Sequence, residues 1–157
     1  MTDCPPGFVE FLRAAKAATY AAQGDDASVA PALPDSRQLE FREGVFVYRD
    51  IYVGMVRFVG QEVVYLGERA LWSMSYAGGL APNVAAAAAR PVYAFLRRAL
   101  VAPSAELPVR GPRELTVEAM HYACNWQGSL QWFEGSERIL QEGRAVFALR
   151  FSGGMLA

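Results

Sequence analysis

Two cysteines and one histidine are the whole stock of thiol and imidazole metal ligands in this 157-residue chain. Cys4 lies near the N-terminus and Cys124 in a strand-like run, so no disulfide framework is implied. His121 with two scattered thiols cannot assemble a soft metal site, and no metal or cofactor is expected. A histidine-dependent triad would need His121 beside Ser73, Ser75 or Ser129, and the G-x-S-x-G elbow is missing. Gly78-Gly79 and Gly153-Gly154 close strand patterns rather than open helices, which excludes a phosphate loop. Basic excess is absent too: 15 Lys and Arg face 16 Asp and Glu, for a net charge of −1. The densest basic pair, Arg97-Arg98, sits on the polar side of a helix pattern, so no direct nucleic-acid partner is expected. No apolar run approaches the ~18 residues of a membrane span. Polar Thr2-Asp3 follows Met1 without an apolar signal region, and the expected location is the cytoplasm.

What the chain does hold is a core: 53% hydrophobic and 20% charged residues, enough for one globular domain over 1–157. It also holds an internal echo. Tyr48 to Leu80 lines up with Tyr122 to Leu156: Tyr48 with Tyr122, Tyr52 with Trp126, Gly54 with Gly128, Phe58 with Trp132. After one extra residue, Gly60 and Glu62 meet Gly135 and Glu137, and Trp72, Met74 and Tyr76 meet Phe147, Leu149 and Phe151.

The local patterns extend this. Phe8, Phe11, Leu12, Ala15, Ala18 and Ala22 make a helical stripe that starts after Pro5-Pro6 and ends at Gln23-Gly24-Asp25-Asp26. Residues 25–36, with Pro31 and Pro34, read as a linker. From Leu39 the period becomes two, which means strands. Gly60 interrupts one of them and is read as a bulge. Asn83 is a candidate N-cap for an Ala-rich turn, with a helix from near Pro91 burying Val92, Phe95, Leu96, Ala99 and Leu100. A second proline linker runs from Pro103 to Pro112, then strands resume. The expected fold is α+β: two pseudo-symmetric repeats, about 6–80 and 81–156, each a helix followed by an antiparallel meander, sharing one core.

Glu62 and Glu137 hold equivalent places, two residues after a glycine in apolar strands. Facing one cleft, they would raise each other's pKa and could bind a cation or act as acid and base. As solvated strand residues each would simply pair with a surface arginine, and strand glutamates are usually solvated. Asp50 breaks the symmetry, since its counterpart is Cys124. Tyr48, Tyr52, Trp72, Tyr76 and Trp126 fit either core packing or the walls of a pocket for a flat or cationic organic molecule, while Phe147 and Phe151 fit the core. The expected function is therefore small-ligand binding through Tyr48, Asp50, Tyr52, Glu62, Trp72, Tyr76, Trp126 and Glu137 in a cleft between the repeats. The alternatives are a small enzyme using Glu or Asp as acid and base, and an interaction or homodimerisation module.

The motifs Ala18-Thr19-Tyr20, Tyr48-x-Asp50-x-Tyr52-x-Gly54, Phe58-x-Gly60-Gln61-Glu62-Val63-Val64-Tyr65 and Trp72-Ser73-Met74-x-Tyr76-x-Gly78 are joined downstream by Arg110-Gly111-Pro112 and Gly135-Ser136-Glu137. Together they resemble a bacterial family known as domain of unknown function 5680. That resemblance implies a stand-alone protein or the C-terminal part of a helix-turn-helix regulator, and with it a sensing role; it implies no activity. In plan, the tandem halves are also similar to gyrase-inhibitor-like effector domains, duplicated α+β units with an aromatic, carboxylate-bearing cleft, although here the helix comes first.

Overall fold

The computed structural model describes residues 4–19 and 27–156. Helix α1 spans Phe8–Ala18, and strands follow at β1 Ser28–Val29, β2 Ser36–Glu43, β3 Phe46–Val53, β4 Arg57–Leu66 and β5 Arg69–Leu80. A 3-10 turn at Ala86–Ala88 leads into α2, Ala89–Leu100. Then come β6 Glu114–Val117, β7 Met120–Ser129, β8 Trp132–Gln141 and β9 Arg144–Met155. Among the described residues the strands form one nine-stranded antiparallel sheet, ordered β1-β2-β3-β4-β5-β9-β8-β7-β6. The molecule is thus mostly antiparallel sheet with two helices.

Period-two alternation decides which side chains go inside. On β4 and β5, Glu62, Val64, Trp72, Met74 and Tyr76 are buried, while Val59, Gln61, Ser75 and Ala77 are exposed. The buried face lies under the helices. From α1, Phe8 packs on Phe46 and Trp72, and Phe11 on Phe41 and Phe46. From α2, Tyr93 packs on Phe58 and Phe147. Trp72, fully buried between Phe8 and Phe133, is the largest single anchor. Truncating it to alanine would cost about 3–5 kcal/mol.

One row of residues crosses the sheet's middle: Tyr52, Gly60, Tyr76, Phe151, Gly135 and Trp126, each the register partner of the next. The row explains Gly60. It sits in unbroken register with no bulge, and the ladder shifts instead between Val64 and Tyr65. A Cβ at Gly60 would strike the Tyr76 phenol, and one at Gly135 would strike the Phe151 ring. Glycine there is a seat for an aromatic ring, not a break in the strand.

Other local expectations also change. Asn83 caps no helix: the 3-10 turn is entered at Ala85, and Pro91 falls in the first turn of α2, where a missing N–H costs nothing. Within 25–36, Ser28–Val29 pairs with β2. In the second proline stretch, Leu107, Val109 and Arg110 are buried. Trp132 is 68% exposed, while Phe133, register partner of Gly153 as Phe58 is of Gly78, takes the buried place expected for Trp132. The helix end expected at Gln23 to Asp26, with Ala22, lies outside the described residues. No helix among the described residues is long and apolar enough to cross a membrane.

Candidate functional site

Beneath the helices the covered face carries five acidic or basic side chains, Lys16, Asp50, Glu62, Arg110 and Glu137, in an otherwise largely apolar layer. Asp50 and Glu62 are direct cross-strand partners on β3 and β4. Lys16, four residues after Leu12 on α1, reaches down to Glu62, with Nζ 2.5 Å from Oε2. Tyr76 donates its hydroxyl hydrogen to Asp50 Oδ1 at 2.7 Å. Across the sheet, Arg110 grips both oxygens of Glu137, while Tyr122 donates to Oε2 at 2.6 Å. The Gly111 amide in turn donates to the Tyr122 hydroxyl at 3.1 Å. Asp50, Glu62 and Glu137 are 1%, 2% and 2% exposed, so the solvated reading of the glutamates fails. They are paired, but inside. The Arg110 guanidinium also lies 6.0 Å from the Tyr76 ring centroid, which brings the two halves of the network together.

The charges do not cancel: three carboxylates meet two cations. Burial raises the Asp50 pKa to about 7, helped by the Glu62 charge and opposed by the Tyr76 hydrogen bond. Burial lowers that of Lys16, against the pull of Glu62. Burial and neighbouring carboxylates push the phenols of Tyr48, Tyr76 and Tyr122 above their ordinary value. The Cys124 thiol, register partner of Glu137, is pushed up to about 12 by burial and then by that carboxylate.

A second feature adjoins the network through Tyr76. A cavity of about 110 Å³ opens between α2 and the β3–β4–β5 end of the sheet, lined by Tyr52, Gly54, Met55, Phe58, Tyr76, Tyr93 and Arg97. Its rings meet edge-on: Phe58 lies 6.5 Å from Tyr52, 6.0 Å from Tyr76 and 5.9 Å from Tyr93. Tyr93 fastens α2 to the β3–β4 turn by donating to the Val56 carbonyl at 2.6 Å. Arg97, one helical turn on from Tyr93, is half-buried, and its Nε has no hydrogen-bond partner among the described residues. It does not lie on the polar side of α2 as the sequence pattern has it.

The expected site residues are therefore divided. Tyr48 and Trp72 are fully buried core residues. Asp50, Glu62 and Glu137 belong to the ionic layer, and Tyr52 and Tyr76 line the pocket. Trp126 lies at the far end of the central row, its ring stacked 3.4 Å from the Arg113 guanidinium carbon. Sequence reasoning left out Lys16, Arg110, Phe58, Tyr93 and Arg97. The signals were spacings: Lys16 at i+8 from Phe8, and Arg97 at i+4 from Tyr93.

The family described as Domain of unknown function (DUF5680) matches residues 50–156, more than half of the chain, from within β3 to just past β9. No curated protein and no solved structure matches the chain.

Proposed function

The chain belongs to the DUF5680 family, and we propose that it is a small-molecule-binding protein of the sensor type, with its site in the aromatic pocket between α2 and β3–β5. The observation that carries this reading is the double role of Tyr76. Its ring walls the pocket, while its hydroxyl is held by Asp50 inside the unbalanced ionic layer. A ligand that shifts the ring alters the hydrogen bond that helps keep Asp50 ionised, so occupancy is transmitted into the core. Few convergent polar groups on aromatic walls are the usual composition of such sites.

The registers support reading the fold as a duplication. Asp50 faces Glu62 as Cys124 faces Glu137, and the Tyr76–Phe151 pair would lie on the pseudo-twofold axis. In that alignment Phe133, not Trp132, answers Phe58. A cysteine content of only Cys4 and Cys124 is in keeping with a reducing, cytoplasmic setting. The regulator context that the resemblance implies also suits a sensor. An acid-base enzyme is the second reading, favoured by the buried cross-strand pairing of Asp50 with Glu62, where burial and the neighbouring carboxylate push the Asp50 pKa up to about 7.

A thermal-shift screen tests the proposal on wild type, Tyr93→Ala and Asp50→Asn. At ligand concentrations ~100 times Kd, binding adds about 2.7 kcal/mol. Hits on wild type should be lost in Tyr93→Ala and weakened in Asp50→Asn. A chemically varied set that leaves the wild-type melting temperature unmoved would sink the pocket reading.

A further inference from the structure

The pocket has one charged side chain in its lining, Arg97, and that charge is positive. No carboxylate among the described residues pairs with it. Its Nε is shielded from solvent yet has no acceptor among the described residues. A buried donor left in this state is rare and unfavourable, and it points to an acceptor supplied from outside. The nearby carboxylates are already engaged: Asp50 accepts from Tyr76, and Glu62 is paired with Lys16. A cationic guest would therefore meet an arginine with no free carboxylate to offset it.

Size narrows the guest further. A cavity of about 150 Å³ holds benzene, so a pocket of about 110 Å³ takes one ring or a short branched chain at most, with the remainder at the mouth. The walls of Phe58, Tyr52 and Tyr93 present ring edges and faces to an apolar body. From these observations we infer that the site takes a small organic monocarboxylate, its carboxylate on the Arg97 guanidinium and its apolar body among Phe58, Tyr52 and Tyr93. The inference rests on the binding-site reading above and names its ligand class. Of the flat or cationic organic ligand expected from sequence, it keeps the flat body and reverses the charge. Arginine suits this role because its planar fork gives a carboxylate two parallel hydrogen bonds.

The test compares three one-ring probes that differ in charge, namely benzoate, benzyl alcohol and benzylamine. Calorimetric titration and chemical-shift mapping of the aromatic resonances are run on the full chain. Benzoate should bind wild type at least about tenfold more tightly than benzyl alcohol, the scale of one charge-assisted hydrogen bond, and benzylamine should bind least. In Arg97→Gln the benzoate advantage should vanish while benzyl alcohol binding persists. Arg97→Lys should keep part of the advantage, and circular dichroism confirms that both variants are folded. Equal binding of benzoate and benzyl alcohol, or a benzoate advantage that survives Arg97→Gln, overturns the carboxylate class and leaves the pocket standing. If no probe of any charge perturbs Phe58, Tyr76 or Tyr93, both the class and the pocket reading fall.

Discussion

Glu62 and Glu137 sit at matching points of the sheet, yet their surroundings teach opposite lessons. Around Glu137 both oxygens are engaged: a guanidinium grips the pair, a phenol donates to one of them, and a backbone amide holds the phenol. Around Glu62 the cation is a single ammonium from α1, and a second carboxylate, Asp50, stands opposite. On the proposed duplication, the exchange between the halves is coordinated. Where the first has Asp50 and its donor Tyr76, the second has Cys124 and Phe151, losing the acid and its hydrogen-bond donor together. Saturated ion pairs fix a structure; an unsaturated set leaves a proton free to move. On the proposed sensor function, the second half of the sheet would be scaffold and the first the responsive part. The aromatic pocket adjoins the first.

That contrast can be broken most directly at Glu137. Glu137→Leu strands Arg110 in the core and should cost about 3–5 kcal/mol in urea denaturation. Glu62→Leu should cost less, about 1–3 kcal/mol, because Lys16, its pKa already depressed, can shed its proton rather than remain buried as a cation. Equal losses in the two variants would end the distinction between scaffold and responsive half.

Acidity sharpens the contrast. Asp50 has a folded pKa of about 7, above the ordinary 3.8 of an unfolded aspartate. The folded state therefore holds a proton that the unfolded state has released. That contribution is fully present below about pH 4 and is lost as pH rises through 7. Asp50→Asn should remove this downward slope, read as urea midpoints at pH 5 and pH 8. A mutant that follows the wild-type profile would assign the titration to another group. The smallest effect expected is chemical. Cys124, with its thiol pushed up to about 12, should resist iodoacetamide in the native protein, while half-buried Cys4 reacts first, as peptide mass spectrometry would show.

The alternating strands and both apolar helix stripes were legible in the sequence because periodicity reports directly which face is inside. The ionic layer was only half legible. Glu62, Glu137 and Asp50 stood out as acids in apolar strands, but their partners come from a helix and a proline-rich segment far away in the chain. Lys16 carried a faint signal, lying where the stripe of Phe8, Leu12 and Ala15 continues. Arg110 stood out only in the Arg110-Gly111-Pro112 motif and carried no signal of burial, since prolines on either side resemble a solvent-exposed connection, and only the fold shows Leu107 to Gly111 packed inside. Gly60 misled for a physical reason: a glycine in a strand is equally a bulge or a ring seat, and Tyr76, its register partner on the neighbouring strand, decides which. The aromatic pocket depends on where α2 docks against the β3–β4 turn, which no local pattern encodes.

The place of β9 carries a consequence for how the molecule is made. Among the described residues it comes after the other eight strands in chain order, yet it lies in the interior of the sheet beside the middle strand, joined to β5 on one side and β8 on the other. A chain growing from the ribosome therefore completes the β2–β5 meander with β5 open along its whole length. Only when the final strand emerges can the two flanks be joined. Until then, β5 and β8 offer unpaired amides and carbonyls to any neighbouring chain, so a nascent or prematurely terminated copy is far more prone to stick than the finished protein.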